Sequence, residues 1–154
     1  MYTAAALLYP DALATSFTLP MEILQAASQT ARVHNRGNPR VRFLLAAPER
    51  KTLRLSSGIT LQPDISYAEI PSLDLLLLPA IWRNPLPTLN TFRPWLHRLR
   101  DLNMRDTRIC SVGTASCLLA EAGLLAGRPA TTHWNYFKLF PVPLAGVARG
   151  ERLV

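Results

Sequence analysis

The segment that most constrains this chain is Leu73–Leu78, LDLLLL, closed by Pro79. A strand with one face in water alternates apolar and polar residues. A nearly unbroken aliphatic run of this length instead fits a strand covered on both faces, as in a parallel sheet between layers of helices. The rest of the chain must then supply further parallel strands and the helices that connect and cover them.

The flanking segments have that character. Ala4–Tyr9, ended by Pro10-Asp11, and Val41–Ala47 read as buried strands, and Thr107–Val112 as another. Leu19–Arg32 predicts a helix with Pro20 and Glu22 in its first turn. There a proline sacrifices no hydrogen bond and a carboxylate meets the positive end of the helix dipole. Ile23, Leu24 and Ala27 supply its apolar face, and Arg36–Pro39 is a loop. Alternation across Thr52–Leu61 around Ser57-Gly58 predicts a small hairpin. Thr91–Met104 sets Phe92, Leu96, Leu99 and Leu102 on one helical face, with Pro94 in the first turn. Gly113-Thr114-Ala115 turns the strand Thr107–Val112 into a helix over Ser116–Ala122, which Gly123 ends. Val142–Val154 reads as the start of a further strand, and no closing helix follows, so the domain is expected to be incomplete at its C-terminus. The alternation predicts one α/β domain over residues 1–154: three layers, doubly wound, around a mostly parallel sheet.

Apolar residues make up 49%, enough for a packed interior. No apolar run reaches membrane-spanning length, and the start MYTAAALLYPDALATSF lacks a basic n-region, so a cytoplasmic location is expected. Cys110 and Cys117 are too few for a disulfide framework and have no partner at zinc-ligand spacing. Both read as reduced, buried, small apolar side chains, with no metal or cofactor expected. Net charge is +7, and of 17 basic residues only Lys51 and Lys138 are lysines. That balance suits an anionic partner such as nucleic acid, but no DNA-reading motif accompanies it, and a solvated arginine-rich surface is the reading adopted.

The stretch SVGTASCLLAEAGLLAGRPATTHW, Ser111–Trp134, resembles the most recognisable segment of ThiJ/PfpI-type, glutamine-amidotransferase-like domains, especially those N-terminal to AraC-type helix-turn-helix regions. LPMEILQAA (Leu19–Ala27), SSGITLQPD (Ser56–Asp64) and DLLLLPA (Asp74–Ala80) agree in order. The resemblance implies a flavodoxin-like, class I glutamine-amidotransferase-like fold. In the enzymes of that superfamily it implies a cysteine on a sharp strand-to-helix turn, with a glutamate from the first helix and a nearby histidine. Such a turn aims the cysteine at a helix N-terminus, where the dipole and free N–H groups stabilise a thiolate or an oxyanion. This chain departs from the pattern twice. The nucleophile position is Gly113, and Pro79-Ala80-Ile81 stands where Pro-Gly-Gly is usual.

By the same resemblance, Glu22, Ala80, Ile81, Gly113, Thr114 and His133 are the expected ligand-binding residues. Glu22 is either a pocket carboxylate or a helix N-terminal charge. His133 is either a pocket donor to an anionic or carbonyl ligand or a strand-end histidine bonded to backbone. Thr114 and Ser116 read as caps rather than nucleophiles, and Cys117, one helical turn along, as core. Trp82 and Arg83 follow the aliphatic strand at its carboxyl end, where open α/β sheets bind ligands, and are candidates for specificity. Gly113 is expected to hold the positive φ of the turn, which glycine adopts without a Cβ clash.

With no nucleophile, the expected function is sensory: a non-catalytic, ligand-sensing and dimerising domain of an AraC-type transcriptional regulator. It would act as a homodimer on a small-molecule effector, contacting DNA only through a helix-turn-helix domain beyond Val154. The rivals are a superfamily enzyme, a hydratase or amidase-like hydrolase working through Glu22 and His133, and a structural dimerisation module with no ligand.

Overall fold

The computed structural model describes residues 1–34, 37, 40–128, 130–133 and 136. Five strands, β1 (Tyr2–Leu7), β2 (Val41–Ala47), β5 (Ile65–Ser66), β6 (Leu75–Leu78) and β7 (Arg108–Ser111), form one sheet in the order β5-β2-β1-β6-β7. Every pairing in it is parallel. The short strands β3 (Leu53–Arg54) and β4 (Thr60–Leu61) make the separate antiparallel hairpin expected around Ser57-Gly58. Successive strand residues point to opposite faces, yet Ala4 through Leu7 and Leu76 through Leu78 are all buried, so both faces of the sheet centre are covered.

Strand order reverses between β1 and β6. The chain steps from β1 to β2 in one direction and from β6 to β7 in the other. Right-handed crossovers therefore set α1 (Thr15–Val33) on one face and α2 (Leu86–Phe92) and α3 (Leu96–Met104) on the opposite one. The helix α4 (Ser116–Glu121) packs against α2 and α3. The result is the doubly wound, flavodoxin-like α/β fold that the resemblance implied; open sheets of this kind bind ligands at the carboxyl ends of the strands beside the reversal. No helix among the described residues is long and apolar enough to cross a membrane.

Several local expectations need correction. The first helix starts at Thr15, not Leu19. Pro20 therefore lies inside it, where it removes the N–H that would bond the Ser16 carbonyl, and Glu22 sits beyond the first turn, away from the positive end of the dipole. The boundary carries no legible signal, because the capping position is Ala14 and no side chain caps it. The buried residues of α1 are Ser16, Phe17 and Ser28; of the expected apolar face, Ile23 is 58% exposed, Ala27 is exposed and Leu24 only half-buried. The helix read over Thr91–Met104 is two helices, separated at Pro94 by a 3-10 turn over Arg93–Trp95, because proline supplies no N–H to continue the ladder. Its apolar residues Phe92, Leu96, Leu99 and Leu102 are nonetheless all buried. Gly123 ends α4 as expected, at φ +75, with the Leu124 N–H reaching the Leu119 carbonyl at 2.9 Å. Cys110 is exposed rather than buried, because β7 is the edge strand of the described sheet; Cys117 is buried. The strand read over Val142–Val154, and Arg36, Asn38 and Pro39 of the first loop, lie outside the described residues.

Candidate functional site

At the carboxyl end of β7 the Val112 N–H still bonds the Leu78 carbonyl at 3.0 Å. Gly113 then turns the chain with φ +51, the left-handed conformation expected there, and Gly113–Ala115 form a 3-10 turn that feeds α4. A Cβ placed on Gly113 would have one neighbour within 4 Å, the Ala80 Cβ at 3.8 Å, an ordinary contact. The glycine thus serves the backbone angle rather than a lack of room, since a Cβ would fit there at ordinary contact distance.

This turn is fastened to the end of β6. The Thr114 hydroxyl accepts the Ile81 N–H and donates to the Ile81 carbonyl, each at 2.8 Å. Thr114, Ala80 and Ile81 are all buried. Ser116 Oγ donates to the Gly113 carbonyl at 2.9 Å, and Thr132 Oγ1 reaches the same oxygen at 3.4 Å. Neither side chain is the helix cap expected: the N-cap of α4 is Ala115, Ser116 bonds back to the turn's carbonyl, and Thr114 ties two strand ends together. Four of the expected residues, Ala80, Ile81, Gly113 and Thr114, come together in this way.

The end of β1 completes the floor. The Tyr9 hydroxyl donates to the Pro79 carbonyl and the Tyr67 hydroxyl to the Leu8 carbonyl, the latter at 2.6 Å. Burial raises both phenols above their ordinary range, so they remain protonated donors. The Leu13 N–H bonds the Ala80 carbonyl at 2.9 Å and the Trp82 N–H bonds the Asp11 carbonyl at 2.7 Å. The Asp11 carboxylate accepts the Ser56 hydroxyl at 2.7 Å and the Thr88 hydroxyl at 3.1 Å. Sequence reasoning missed Tyr9, Asp11 and Thr132. Pro10-Asp11 marked only a strand end, and contacts between distant loops leave no local periodicity to read.

The other two expected residues are Glu22 and His133. Glu22 is exposed and makes no hydrogen bond or ion pair among the described residues; at the helical rise it lies about 10 Å along the axis from the start of α1. His133 is exposed, its ring 5.7 Å from that of Tyr136, and its carbonyl accepts the Tyr136 N–H at 2.9 Å. The preceding residue, Thr132, is the one that reaches Gly113. Burial pushes the Cys117 thiol up to about 11 and outweighs its hydrogen bond with Thr132, so near neutrality it is a thiol and a poor nucleophile. Among the described residues no three His, Cys, Asp or Glu side chains assemble as a metal site.

The DJ-1/PfpI family model matches residues 5–146, a span that includes every strand of the sheet from Ala5 onward and the Gly113 turn. The chain belongs to the DJ-1/PfpI family. Within that family it is similar to the isonitrile hydratase of Pseudomonas putida, with 28% identity over 148 residues, 96% of this chain and 59% of that protein. It is also similar to the HTH-type transcriptional regulator CdhR of Pseudomonas aeruginosa, with 28% identity over 116 residues, 75% of this chain and 34% of that protein. This DJ-1/PfpI chain therefore spans less than two thirds of either relative. Among solved structures, a ThiJ/PfpI family protein from Pseudomonas syringae superposes with a TM-score of 0.77 at 21% identity, covering 99% of this chain and 58% of that one, which is a likeness of fold.

Proposed function

We propose that this chain is the non-catalytic sensing domain of an AraC-type transcriptional regulator, holding a small-molecule effector in the crevice beside Gly113. The observation that carries the reading is Gly113 itself, which holds the positive φ of a strand-to-helix elbow and has no side chain to attack anything. An elbow at the carboxyl ends of the strands, kept without its nucleophile, lies where folds of this kind bind ligands. The similarity to CdhR supports the regulatory direction. It covers a third of that protein, which leaves room there for the helix-turn-helix its name announces. In the whole protein, DNA contact would fall to such a domain, in the cytoplasm, with the domain described here dimerising and responding to the effector.

A second reading has its own support, because the match to isonitrile hydratase runs over 96% of the chain. An enzyme built here would need an acid–base route without a cysteine at residue 113, such as one through Glu22 and His133.

Thermal melts against a panel of small metabolites, each followed by recovery of the ligand, test the sensing reading. A compound that raises Tm saturably and is recovered unchanged is the expected result. A compound that is converted on incubation, or a panel with no stabilising member, would count against it.

A further inference from the structure

The loop after β6 carries two residues that the elbow does not use, Trp82 and Arg83. Up to Trp82 its backbone is held from both sides: the Thr114 hydroxyl clasps Ile81, Ala12 pairs with Ile81, and the Asp11 carbonyl takes the Trp82 N–H. The next residue turns sharply. Arg83 has φ +60, a left-handed conformation. The other described non-glycine residue in that region is Asp106, a type that tolerates it; arginine does not unless its surroundings hold it there. With that turn in place Trp82 remains 46% exposed, and the Arg83 guanidinium lies 5.8 Å from the centroid of its ring. Among the described residues Arg83 forms no ion pair. Asp11, which holds the same loop, directs its carboxylate oxygens to Ser56 and Thr88. The loop at the carboxyl end of β6 thus presents an exposed indole with a guanidinium, unpaired with any carboxylate among the described residues, over its ring.

Resting on the sensing reading above, we propose that Trp82 and Arg83 are the recognition lip of the effector site, and that the effector carries a carboxylate beside a flat or apolar body. A guanidinium offers parallel N–H donors that match a carboxylate in a fork and is weakly hydrated, so it gives up water readily. The indole receives the body of the ligand. A neutral amide of the same shape loses the charge-assisted bonds, and an ammonium is repelled.

The test titrates benzoate, benzamide and benzylamine, at constant ionic strength, into the chain. NMR follows the Trp82 indole N–H, assigned with Trp82→Phe. A saturable shift with benzoate is expected, with benzamide at least about tenfold weaker and benzylamine without effect. Arg83→Gln should abolish the preference for benzoate while the remaining indole signals stay in place, and Arg83→Lys, which keeps the charge but not the fork, should retain part of it. Equal affinity for benzoate and benzamide, no saturable shift with benzoate, or an unchanged preference in Arg83→Gln overturns the proposal. If a neutral or cationic ligand instead binds beside Gly113, this proposal alone falls; if nothing of any charge binds there, the sensing reading falls with it.

Discussion

The hydroxyl of Thr114 meets both backbone groups of Ile81, accepting the N–H and donating to the carbonyl at 2.8 Å each, across 33 residues of chain. One side chain thereby closes the end of β6 onto the elbow after β7. The backbone groups it satisfies are buried, so they have no water to turn to. Thr114→Val keeps the shape and strands both; we expect a loss of about 2–6 kcal/mol by urea denaturation, because each of the two buried unpaired groups costs about 1–3 kcal/mol. Thr114→Ser keeps the hydroxyl and should lose only about 1 kcal/mol, for the buried methyl. Equal losses in the two variants would show that the hydroxyl is not what holds the loop.

Gly113→Ala isolates the backbone conformation. At φ +51 an alanine is strained, although its Cβ would touch nothing closer than 3.8 Å. A loss of about 1 kcal/mol is expected, against the gain that alanine brings where its dihedrals are compatible. Gly113→Asn should cost less, since asparagine tolerates this region. An alanine variant as stable as the parent would mean that the turn relaxes freely.

The fold was legible because burial on both faces writes itself into a strand: LDLLLL and AAALLY needed no partner to be read. The elbow was legible through its glycine. What stayed hidden depends on pairs far apart in the chain. Nothing local distinguishes Tyr9 or Asp11 as floor residues, or marks Thr132 as a residue that reaches the Gly113 carbonyl. The start of α1 is hidden for a different reason: Ala14 at the cap gives no side-chain signal, and Pro20 with Glu22 mimics a first turn.

The two cysteines should separate by reactivity. Cys110 is exposed and Cys117 buried, with burial pushing the latter thiol up to about 11. At pH 8 iodoacetamide should label Cys110 in the folded protein and reach Cys117 only on unfolding. The sign for stability follows from the same shift. The folded pKa is raised above the ordinary value of 9.0, so the unfolded state gives up its proton first. The contribution is therefore full below pH 9 and is lost as pH climbs from there toward about 11. Rapid labelling of Cys117 in the native state would contradict this environment.

Self-association is expected to use α1. Leu19, Ile23 and Ala27 recur every four residues and so share one face, and Leu19 and Ile23 are 57% and 58% exposed. That face suits the two-fold contact of a second copy. Light scattering should give a dimer for the parent chain and a monomer for Leu19→Glu/Ile23→Glu, with circular dichroism unchanged. A parent that stays monomeric at high concentration would count against it.

The proposal that no chemistry takes place at Gly113 is tested most directly by isonitrile hydration. The purified chain is incubated with an alkyl isonitrile, and the N-alkylformamide that addition of water would produce is measured, beside Cys117→Ser and a protein-free control. We predict formamide at the level of the control for both proteins. Turnover by the parent chain that disappears in Cys117→Ser would show a working nucleophile and contradict the reading of this domain as a sensor.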